Sequence, residues 1–331
     1  MTTVRVEAPA RLHMGMLDVS GDGPRRFGGL GVAVSRPAVV VEASNDLTAE
    51  APDADRAHAE ALASGELTAE GPDADRALAV AQRCRDALGL APGAHVRVIE
   101  AIPAHAGLGS GTKLALAVAA ALSALAGQSP DPATMARTAG RGARSAVGLW
   151  TFALGGFVVE GGRRPGSADP APLLTRHVMP DEWRCVLVIP AAEPGLSGGP
   201  EEAAFGDLRP DPVRSAEIAQ LVLTALLPAL VERDLVEFGA ALTRLQRLVG
   251  DAFAPVQGGT FHPQAGALVD ALLRLGAAGA GQSSWGPAVY GLVGSEQQGD
   301  EVVRGLEAEL GAGGRAEVVR FDNRGARVEV T

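Results

Sequence analysis

The 331-residue chain is long enough for two domains that share a cleft, and its 47% hydrophobic residues can fill a large core. Its 39 acidic and 29 basic residues give a net charge of −10, which argues against nucleic acid as the general partner. Cys84 and Cys185 lie in no metal-ligand spacing and predict buried thiols in a reducing cytosol. No signal pattern opens the chain, and the apolar run at 114–126 is too short to span a bilayer. We therefore expect a cytoplasmic protein without a membrane segment.

Strand and helix patterns alternate through the first half of the chain. A helix at 74–88 ends at Gly89, and a strand at 95–100 leads into a glycine-rich loop and an apolar helix. Pro132 suits the first turn of a further helix at 131–143. Other strands are predicted at 4–8, 38–42 and 157–160.

One internal repeat precedes the helix at 74–88. The sequence LTAEAPDADRAHA begins at Leu47, and the near-identical LTAEGPDADRALA begins at Leu67. A solenoid needs at least three stacked units, so two copies do not indicate one. We interpret the pair as a local duplication within a surface insertion.

The second half of the chain follows a segment rich in glycine, proline and arginine at 161–172. This composition predicts a boundary between domains at 1–172 and 173–331. Helices are predicted at 212–230, 232–248, 263–276 and 298–310, and strands at 183–189, 288–293, 316–321 and 326–330. Strands and helices mix without regular βαβ order, which favours an α+β architecture.

The segment at 103–127 carries the strongest functional signal. Three glycines within 107–111 allow backbone angles that turn successive N–H groups toward one concave side. Two hydroxyl side chains, the positive end of the following helix and Lys113 would face the same space. We predict a polyphosphate cradle, although a glycine-rich turn that caps a buried helix is the alternative. The spacing of GLGSGTK does not match the P-loop pattern GxxxxGK[ST].

A first cluster of charged residues surrounds the opening strand. Arg11, His13, Asp18, Arg25 and Arg26 lie beside a glycine-rich segment, and arginine makes two-pronged contacts with phosphate oxygens. The cluster could therefore bind a phosphate. Solvated surface charge is the alternative for Arg25 and Arg26, and a satisfied core histidine is the alternative for His13.

A second cluster lies in the segment GRGARSAVG at 140–148, which contains Arg141, Arg144 and Ser145. Two arginines among glycines, directly before an apolar stretch, do not resemble the face of a simple helix. We therefore predict that this segment binds an anion.

A third segment, GAAGAGQSSWGPAVYG at 276–291, places polar and aromatic residues between a helix and a strand. Such polar density predicts a second ligand-facing loop, to which Gln257 upstream would contribute. A tight structural turn is the alternative.

In this order, the glycine motifs resemble those of the GHMP kinase superfamily, which includes galactokinase and the homoserine and mevalonate kinases. The superfamily motif PxxxGLGSS is matched from Pro103 to Gly111, with glycine in place of the second serine. The resemblance covers essentially the whole chain. It implies an α+β, two-domain GHMP kinase-like fold: an N-terminal domain like ribosomal protein S5 domain 2 and a ferredoxin-like C-terminal domain.

Kinases of this superfamily often carry a base in a segment of the form SGxDxxxxxxxGG. The corresponding stretch here, SAVGLWTFALGG from Ser145, has no acidic residue before Glu160. More specifically, ARLHMGMLD, GLGSGT, GRGARSAVGLWTFALGGFVVEGG, QGGTF and GAGQSSWGPAVYGLV are similar to motifs of the β-ribofuranosylaminobenzene 5′-phosphate synthase family. This resemblance implies that phosphoribosyl pyrophosphate reacts with 4-aminobenzoate or 4-hydroxybenzoate in methanopterin biosynthesis. Pyrophosphate and carbon dioxide would be released.

The implied chemistry is consistent with the missing carboxylate. Departure of pyrophosphate leaves an oxocarbenium-like ribose and needs Mg²⁺ together with pre-organised N–H groups. The ring then attacks through the carbon that bears its carboxylate, and loss of carbon dioxide restores aromaticity. No side chain has to remove a ring proton.

The resemblance implies roles for particular residues. Catalytic roles are expected of Lys113, Asp18, Arg144 and His13, with Asp18 also the candidate metal ligand. The expected substrate-binding residues are Arg11, Arg26, Gly107, Leu108, Gly109, Ser110, Gly111, Thr112, Arg141, Ser145, Gln257, Gln282, Ser283, Ser284 and Trp285. The segment 107–113 would hold the pyrophosphate, and 282–285 would line the acceptor pocket. Arg11, Arg141 or Arg144 would hold the 5′-phosphate or the benzoate carboxylate.

Two other functions stay open at this point. An ATP-dependent small-molecule kinase of the same superfamily would phosphorylate some alcohol and form ADP from ATP. A non-catalytic protein on a degenerate kinase fold would bind a phosphate ligand without turnover. The apolar C-terminal helices and the superfamily resemblance also suggest a homodimer.

Overall fold

The computed structural model describes residues 2–18, 23–45, 65–89, 93–191, 199–206 and 208–331. The strands are β1 (Thr3–Asp18), β2 (Phe27–Ser44), β3 (Leu67–Glu70), β4 (Ala94–Glu100), β5 (Phe157–Glu160), β6 (Leu173–His177), β7 (Arg184–Ile189), β8 (Gly279–Gln282), β9 (Val289–Val293), β10 (Arg315–Arg320) and β11 (Arg327–Val330). The helices are α1 (Ala74–Leu88), α2 (Ser110–Leu125), α3 (Pro132–Thr138), α4 (Val147–Leu154), α5 (Gly199–Gly206), α6 (Pro212–Leu221), α7 (Leu227–Glu232), α8 (Leu235–Gln257), α9 (Gly266–Arg274) and α10 (Glu296–Leu306). A π-helical turn at Val222–Leu226 joins α6 to α7.

The first sheet is built on a long antiparallel pair, β1 and β2. Its main path has the order β11-β1-β2-β4-β3, and β5 and β6 extend it from the first half of β2. Helix α2 packs against β1 and β2 and is buried along most of its length, as its apolar sequence predicts. Its many alanines allow close approach to the sheet, because a small side chain keeps the helix axis near the strands. The helix therefore begins at a fixed place beside β1.

The second sheet has the antiparallel order β10-β7-β9-β8. In chain order its elements run β7, α8, β8, β9, α10 and β10, with α9 inserted before β8. A βαββαβ chain whose strands are ordered 4-1-3-2 is the ferredoxin-like arrangement. The predicted α+β class and the ferredoxin-like C-terminal domain are confirmed.

The two sheets do not divide the chain at one point. Strands β6 and β11 both follow residue 172, yet β6 pairs with β5 and β11 pairs with β1 in the first sheet. Residues after 172 therefore contribute strands to both sheets. A single boundary at 172 does not separate the residues of the first sheet from those of the second.

Several elements differ from the sequence prediction. Helix α1 matches it, but α3 is shorter than the predicted 131–143, and α4 was not predicted. Gly140 and Gly142 both have positive φ, 65° and 84°, which ends helical geometry soon after α3. The first copy of the repeat lies outside the described residues. Its second copy forms β3 and the start of α1, so this copy is part of the fold and is not a surface insertion.

One helical stretch among the described residues, Pro212–Glu232, is long and apolar enough to cross a membrane by length and composition. One third of its most apolar window is buried inside the protein. The core helix of a soluble protein passes the same test.

Helix α8 and strand β8 approach each other backbone to backbone at Gly239, and this contact yields a test of the fold. A Cβ atom at Gly239 would overlap the carbonyl group of Ala278. We expect Gly239→Ala to lower the free energy of unfolding by about 3 kcal/mol, because main-chain atoms cannot make room as a side chain can. Urea unfolding measures this. Gly266→Ala, also in a helix but facing open space, is the matched control and should change stability little. Equal effects of the two substitutions would contradict the packing.

Candidate active site

A cavity of about 450 Å³ lies where the start of α2, the middle of β1, the segment before α4 and the loop after β8 meet. Residues from all the glycine motifs line it. Of the residues predicted for the site, those that line it are Arg11, His13, Gly107, Gly109, Ser110, Gly111, Thr112, Arg141, Arg144, Ser145, Gln257, Gln282, Ser284 and Trp285. The structure thus brings together segments that are more than 250 residues apart.

The glycine-rich loop before α2 forms one wall. Gly107 and Gly109 have φ values of 83° and 80°, in the left-handed region that side chains disfavour. Gly109 caps the helix, and its carbonyl accepts hydrogen bonds from the amides of Thr112 (3.1 Å) and Lys113 (3.0 Å). The first residues of α2, Ser110 and Gly111, line the cavity at the positive end of the helix dipole. This geometry suits an anion.

Hydrogen bonds hold the loop against two distant segments. The Ser283 hydroxyl donates to the Gly107 carbonyl at 2.7 Å and accepts from the His13 amide at 3.0 Å. The Arg11 guanidinium also donates to the Gly107 carbonyl, and the Leu108 carbonyl accepts from the Arg11 amide at 3.2 Å. Ser283 and Leu108 are buried and shape the wall without lining the cavity.

Arginines crowd the same end of the cavity. Arg76, Arg141 and Arg144 line it together with Arg11. Burial, followed by the charges of Arg76 and Arg83, lowers the pKa of Arg141. The buried Nε atom of Arg141 has no hydrogen-bond partner among the described residues. Like charges that are gathered and partly desolvated are costly unless an anion binds among them.

The cavity also has an aromatic end. Trp285 packs edge-on against Phe253 and Phe205, with ring centroids 4.6 and 5.5 Å apart, and Phe261 also lines this end. The Arg144 guanidinium carbon lies 6.0 Å from the centroid of the Phe205 ring, so it joins the basic end to the aromatic end. A planar apolar ring with an anionic substituent fits this junction.

Lys113 does not face the cavity, contrary to the sequence prediction. It is the chain's only lysine, it is fully buried, and its Nζ atom donates to the Thr151 hydroxyl at 3.0 Å. Burial, followed by the Arg11 charge, lowers its pKa well below the usual value. The amine therefore joins the first turn of α2 to α4 inside the protein and does not reach the cavity.

A buried carboxyl group lies behind the wall that His13 and Ser145 form. The His13 Nε2 atom lies 3.2 Å from the Ser145 hydroxyl oxygen, and Ser145 is hydrogen-bonded to Glu160. Glu160 is fully buried and accepts from the amides of Gly162 (2.8 Å) and Ala146 (3.2 Å). Burial raises the pKa of Glu160 to about 7, whereas burial and the Arg11 charge lower that of His13 to about 3.

Two predicted residues lie away from the cavity. Asp18, at the end of β1, accepts from the Ser215 hydroxyl at 3.3 Å. Arg26 is exposed, and its backbone bridges to Arg163. Surface charge is therefore the interpretation of Arg26 that this placement favours. Gln282 lines the cavity, but its side chain accepts from the His262 amide at 2.6 Å and donates to the Ser284 carbonyl at 2.9 Å.

Magnesium was predicted with Asp18 as a ligand. Among the described residues no group of three or more His, Cys, Asp or Glu side chains could hold a metal ion, and no carboxylate lines the cavity. Mg²⁺ commonly keeps several waters and binds through substrate phosphates. The cavity therefore fits an ion that enters with a phosphorylated substrate, with the Ser110 hydroxyl as a nearby oxygen donor.

The sequence reasoning missed Arg76, Phe205, Phe253 and Glu160. Arg76 lies in the repeat, whose interpretation as an insertion hid it. Phe205 and Phe253 lie on helices with no unusual motif, so the chain offered no signal for them. Glu160 closes a strand of apolar residues, and a lone charge on a buried strand was the available clue.

Two protein-family models match the chain, one in each half. Residues 75–156 match the family model of the GHMP kinases N terminal domain, and residues 226–312 match that of the GHMP kinases C terminal region. The fold is similar to that of a mevalonate kinase of Methanococcus jannaschii, with a TM-score of 0.68, 15% identity, and coverage of 96% of this chain and 98% of that chain. The fold and the cavity thus define a protein of the GHMP kinase class.

Two full-length relatives place the chain more narrowly, and both are named beta-ribofuranosylphenol 5′-phosphate synthase. The one from Methanothermobacter thermautotrophicus is 33% identical over 97% of either chain. The one from Archaeoglobus fulgidus is 35% identical over 99% of this chain and 100% of its own. The chain belongs to the family of these synthases.

The buried lysine predicts a particular dependence of stability on pH. Unfolding returns Lys113 to a pKa of about 10.5, above its folded value, so the unfolded chain binds more protons between the two values. The stability of the wild type should therefore rise with pH across that window, by up to about 1.4 kcal/mol per pH unit. Lys113→Met keeps the side-chain length without the amine and should lack this component. Urea unfolding of both proteins from pH 7 to 10 measures it, and parallel profiles would contradict a lowered pKa of Lys113 in the folded protein.

Proposed function

We propose that the protein joins the ribose of phosphoribosyl pyrophosphate to the ring carbon of a 4-substituted benzoate, with release of pyrophosphate and carbon dioxide. The name shared by the relatives supports this reaction, since its product is a ribosylated phenol phosphate. That name also favours 4-hydroxybenzoate over 4-aminobenzoate as the acceptor. The homodimer and the cytoplasmic location stay predictions.

The observation that carries the proposal is the division of the cavity into two chemically distinct ends. The basic end combines Arg11, Arg76 and Arg141 with the N-terminus of α2, which suits phosphate groups. The aromatic end offers the edges and faces of Trp285, Phe253 and Phe205 to a flat ring. A charged sugar donor and an aromatic acceptor would meet between these ends.

The residues suggest a position for each substrate group. The pyrophosphate would bind along Gly107–Thr112, where the start of α2 and Arg141 stabilise the charge that develops on the leaving group. Arg144, between the two ends, would bind the carboxylate of the acceptor. Arg11 and Arg76 are the remaining cations for the 5′-phosphate.

The reaction then needs positioning more than acid–base chemistry. The bond between the ribose C1 and pyrophosphate breaks, and Mg²⁺, when bound, supplies positive charge to the pyrophosphate oxygens. The aromatic wall holds the ring carbon that bears the carboxylate against C1 and excludes water from the oxocarbenium-like sugar. Release of carbon dioxide restores the aromatic ring.

A labelling assay tests the proposal directly. Purified protein would be incubated with phosphoribosyl pyrophosphate, Mg²⁺ and carboxyl-labelled 4-hydroxybenzoate, and in parallel with the 4-amino acid. We expect labelled carbon dioxide and pyrophosphate in equal amounts, without ATP. Formation of ADP from ATP and no labelled gas would favour a kinase, and binding of phosphoribosyl pyrophosphate without any turnover would favour a non-catalytic protein.

Arg141 provides a test of the proposed pyrophosphate position. Arg141→Ala should raise the dissociation constant for Mg²⁺-pyrophosphate about 10- to 100-fold, because a charge-assisted hydrogen bond contributes roughly 1.5–3 kcal/mol. Titration calorimetry measures the binding. Arg315→Ala, which removes an exposed arginine at the start of β10, is the matched control and should bind as the wild type does. Unchanged affinity in Arg141→Ala would remove this residue from the pyrophosphate site.

A further inference from the structure

The buried Glu160 lies next to the cavity but is not used by the proposed reaction. It is fully buried at the end of β5, and the two backbone amides of Ala146 and Gly162 donate to its carboxyl oxygens. The two groups between it and the cavity, Ser145 and His13, both line the cavity wall. A titratable group that is buried beside a site and connected to it by polar side chains can serve as a proton store.

The hydrogen bonds of Ser145 determine the direction of this connection. A hydroxyl group has one donor and two acceptor positions. The Ser145 oxygen accepts from the Val147 amide at 3.2 Å, lies 3.2 Å from His13 Nε2, and shares a hydrogen bond with Glu160. When Glu160 is ionised, the Ser145 proton points to it, and both acceptor positions are filled by Val147 and by the Nε2–H of His13. His13 Nδ1 is then the acceptor that remains open in this series of hydrogen bonds, on a side chain that lines the cavity.

We propose that His13, Ser145 and Glu160 form a proton relay that holds the proton of the ring substituent opposite the acceptor carboxylate while the ring attacks the ribose. This inference rests on the proposed function. The proton leaves the substituent for His13 Nδ1, His13 Nε2–H passes its proton to Ser145, and Ser145 passes its own to Glu160. Electron density from the deprotonated substituent enters the ring, and the new bond forms to the ribose C1 as the bond to pyrophosphate breaks. After carbon dioxide leaves, the three protons shift back, so the relay ends as it began.

The charges around the relay support proton storage at Glu160 and not at His13. Burial and the neighbouring Arg11 disfavour a charged His13, so an imidazolium is not a resting place for the proton. The groups that face Glu160 are the amides of Ala146 and Gly162 and the Ser145 hydroxyl, and its raised pKa arises from burial. A neutral, protonated Glu160 therefore costs little in this environment. Glu160 acts through Ser145 and His13 and so is a positioning residue, and His13, which lines the cavity, is the member of the relay that would meet the substrate.

The experiment compares Glu160→Gln with the wild type on two acceptors, 4-hydroxybenzoate and 4-methoxybenzoate, whose oxygen carries no proton. On 4-hydroxybenzoate we expect kcat of the variant to fall about 100-fold, with KM for phosphoribosyl pyrophosphate unchanged. The wild-type kcat should decline as the pH falls below about 7, where Glu160 becomes protonated, and the variant should lack this limb. On 4-methoxybenzoate both proteins should react at similar, slow rates. If the amino acid is the true acceptor, 4-(dimethylamino)benzoate replaces the methoxy compound.

Two further variants keep the result decisive. Ser145→Ala interrupts the relay while retaining Glu160, so it should reproduce the loss on 4-hydroxybenzoate and it serves if Glu160→Gln does not fold. Glu307→Gln, an exposed glutamate after α10, should behave as the wild type. The relay is overturned if the wild type is active but kcat of both Glu160→Gln and Ser145→Ala still declines below about pH 7. It is also overturned if the two substitutions lower kcat by the same factor on both acceptors. Absence of carbon dioxide release by the wild type would instead overturn the proposed function.

Discussion

The site depends on one buried hydroxyl group. Ser283 accepts a hydrogen bond from the His13 amide and donates one to the Gly107 carbonyl, so a single side chain fixes β1, the glycine-rich loop and the loop after β8 relative to one another. The left-handed Gly107 lies against the Ser283 backbone, where a Cβ atom would overlap the Ser283 carbonyl. The anion-binding loop and the loop that carries Trp285 are thereby held in fixed positions relative to each other, although they are far apart in the sequence. Because the hydrogen-bonded atoms lie away from water, each would be costly to leave unpaired.

The cavity is lined by positive charge, although the molecule as a whole carries a negative net charge. The chain is strongly acidic, yet four arginines line the cavity, and no carboxylate lines it among the described residues. This arrangement concentrates positive potential at one place and keeps the outer surface negative. Glu160 lies behind the cavity wall, and burial raises its pKa to about 7, so it is neutral more readily than an exposed acid. A phosphorylated ligand thus meets cations while the acid stays shielded.

The sequence predicts the architecture well because the α+β pattern and the glycine motifs are local features. Helix α1, the loop before α2 and the ferredoxin-like second half follow from periodicity, turn residues and family resemblance. The direction in which a side chain points depends on the whole fold and not on the neighbouring sequence. The predictions about individual site residues differ from the structure for this reason. Lys113 follows the cradle in sequence, but it lies in the first turn of a helix whose neighbours bury it. Arg76 and Phe205 come from elements without a motif, and only the folded chain brings them to the cavity.

The solitary lysine has a practical consequence. With 28 arginines and one lysine in the sequence, the single side-chain amine of these 331 residues is buried under α4. Reagents that acylate amines should therefore leave the side chains of the folded protein, and the cavity, unmodified. A protease specific for lysine should cleave at a single bond, and only in molecules that have opened far enough to expose α2. The rate of that one cut reports how often the core of the first sheet comes apart.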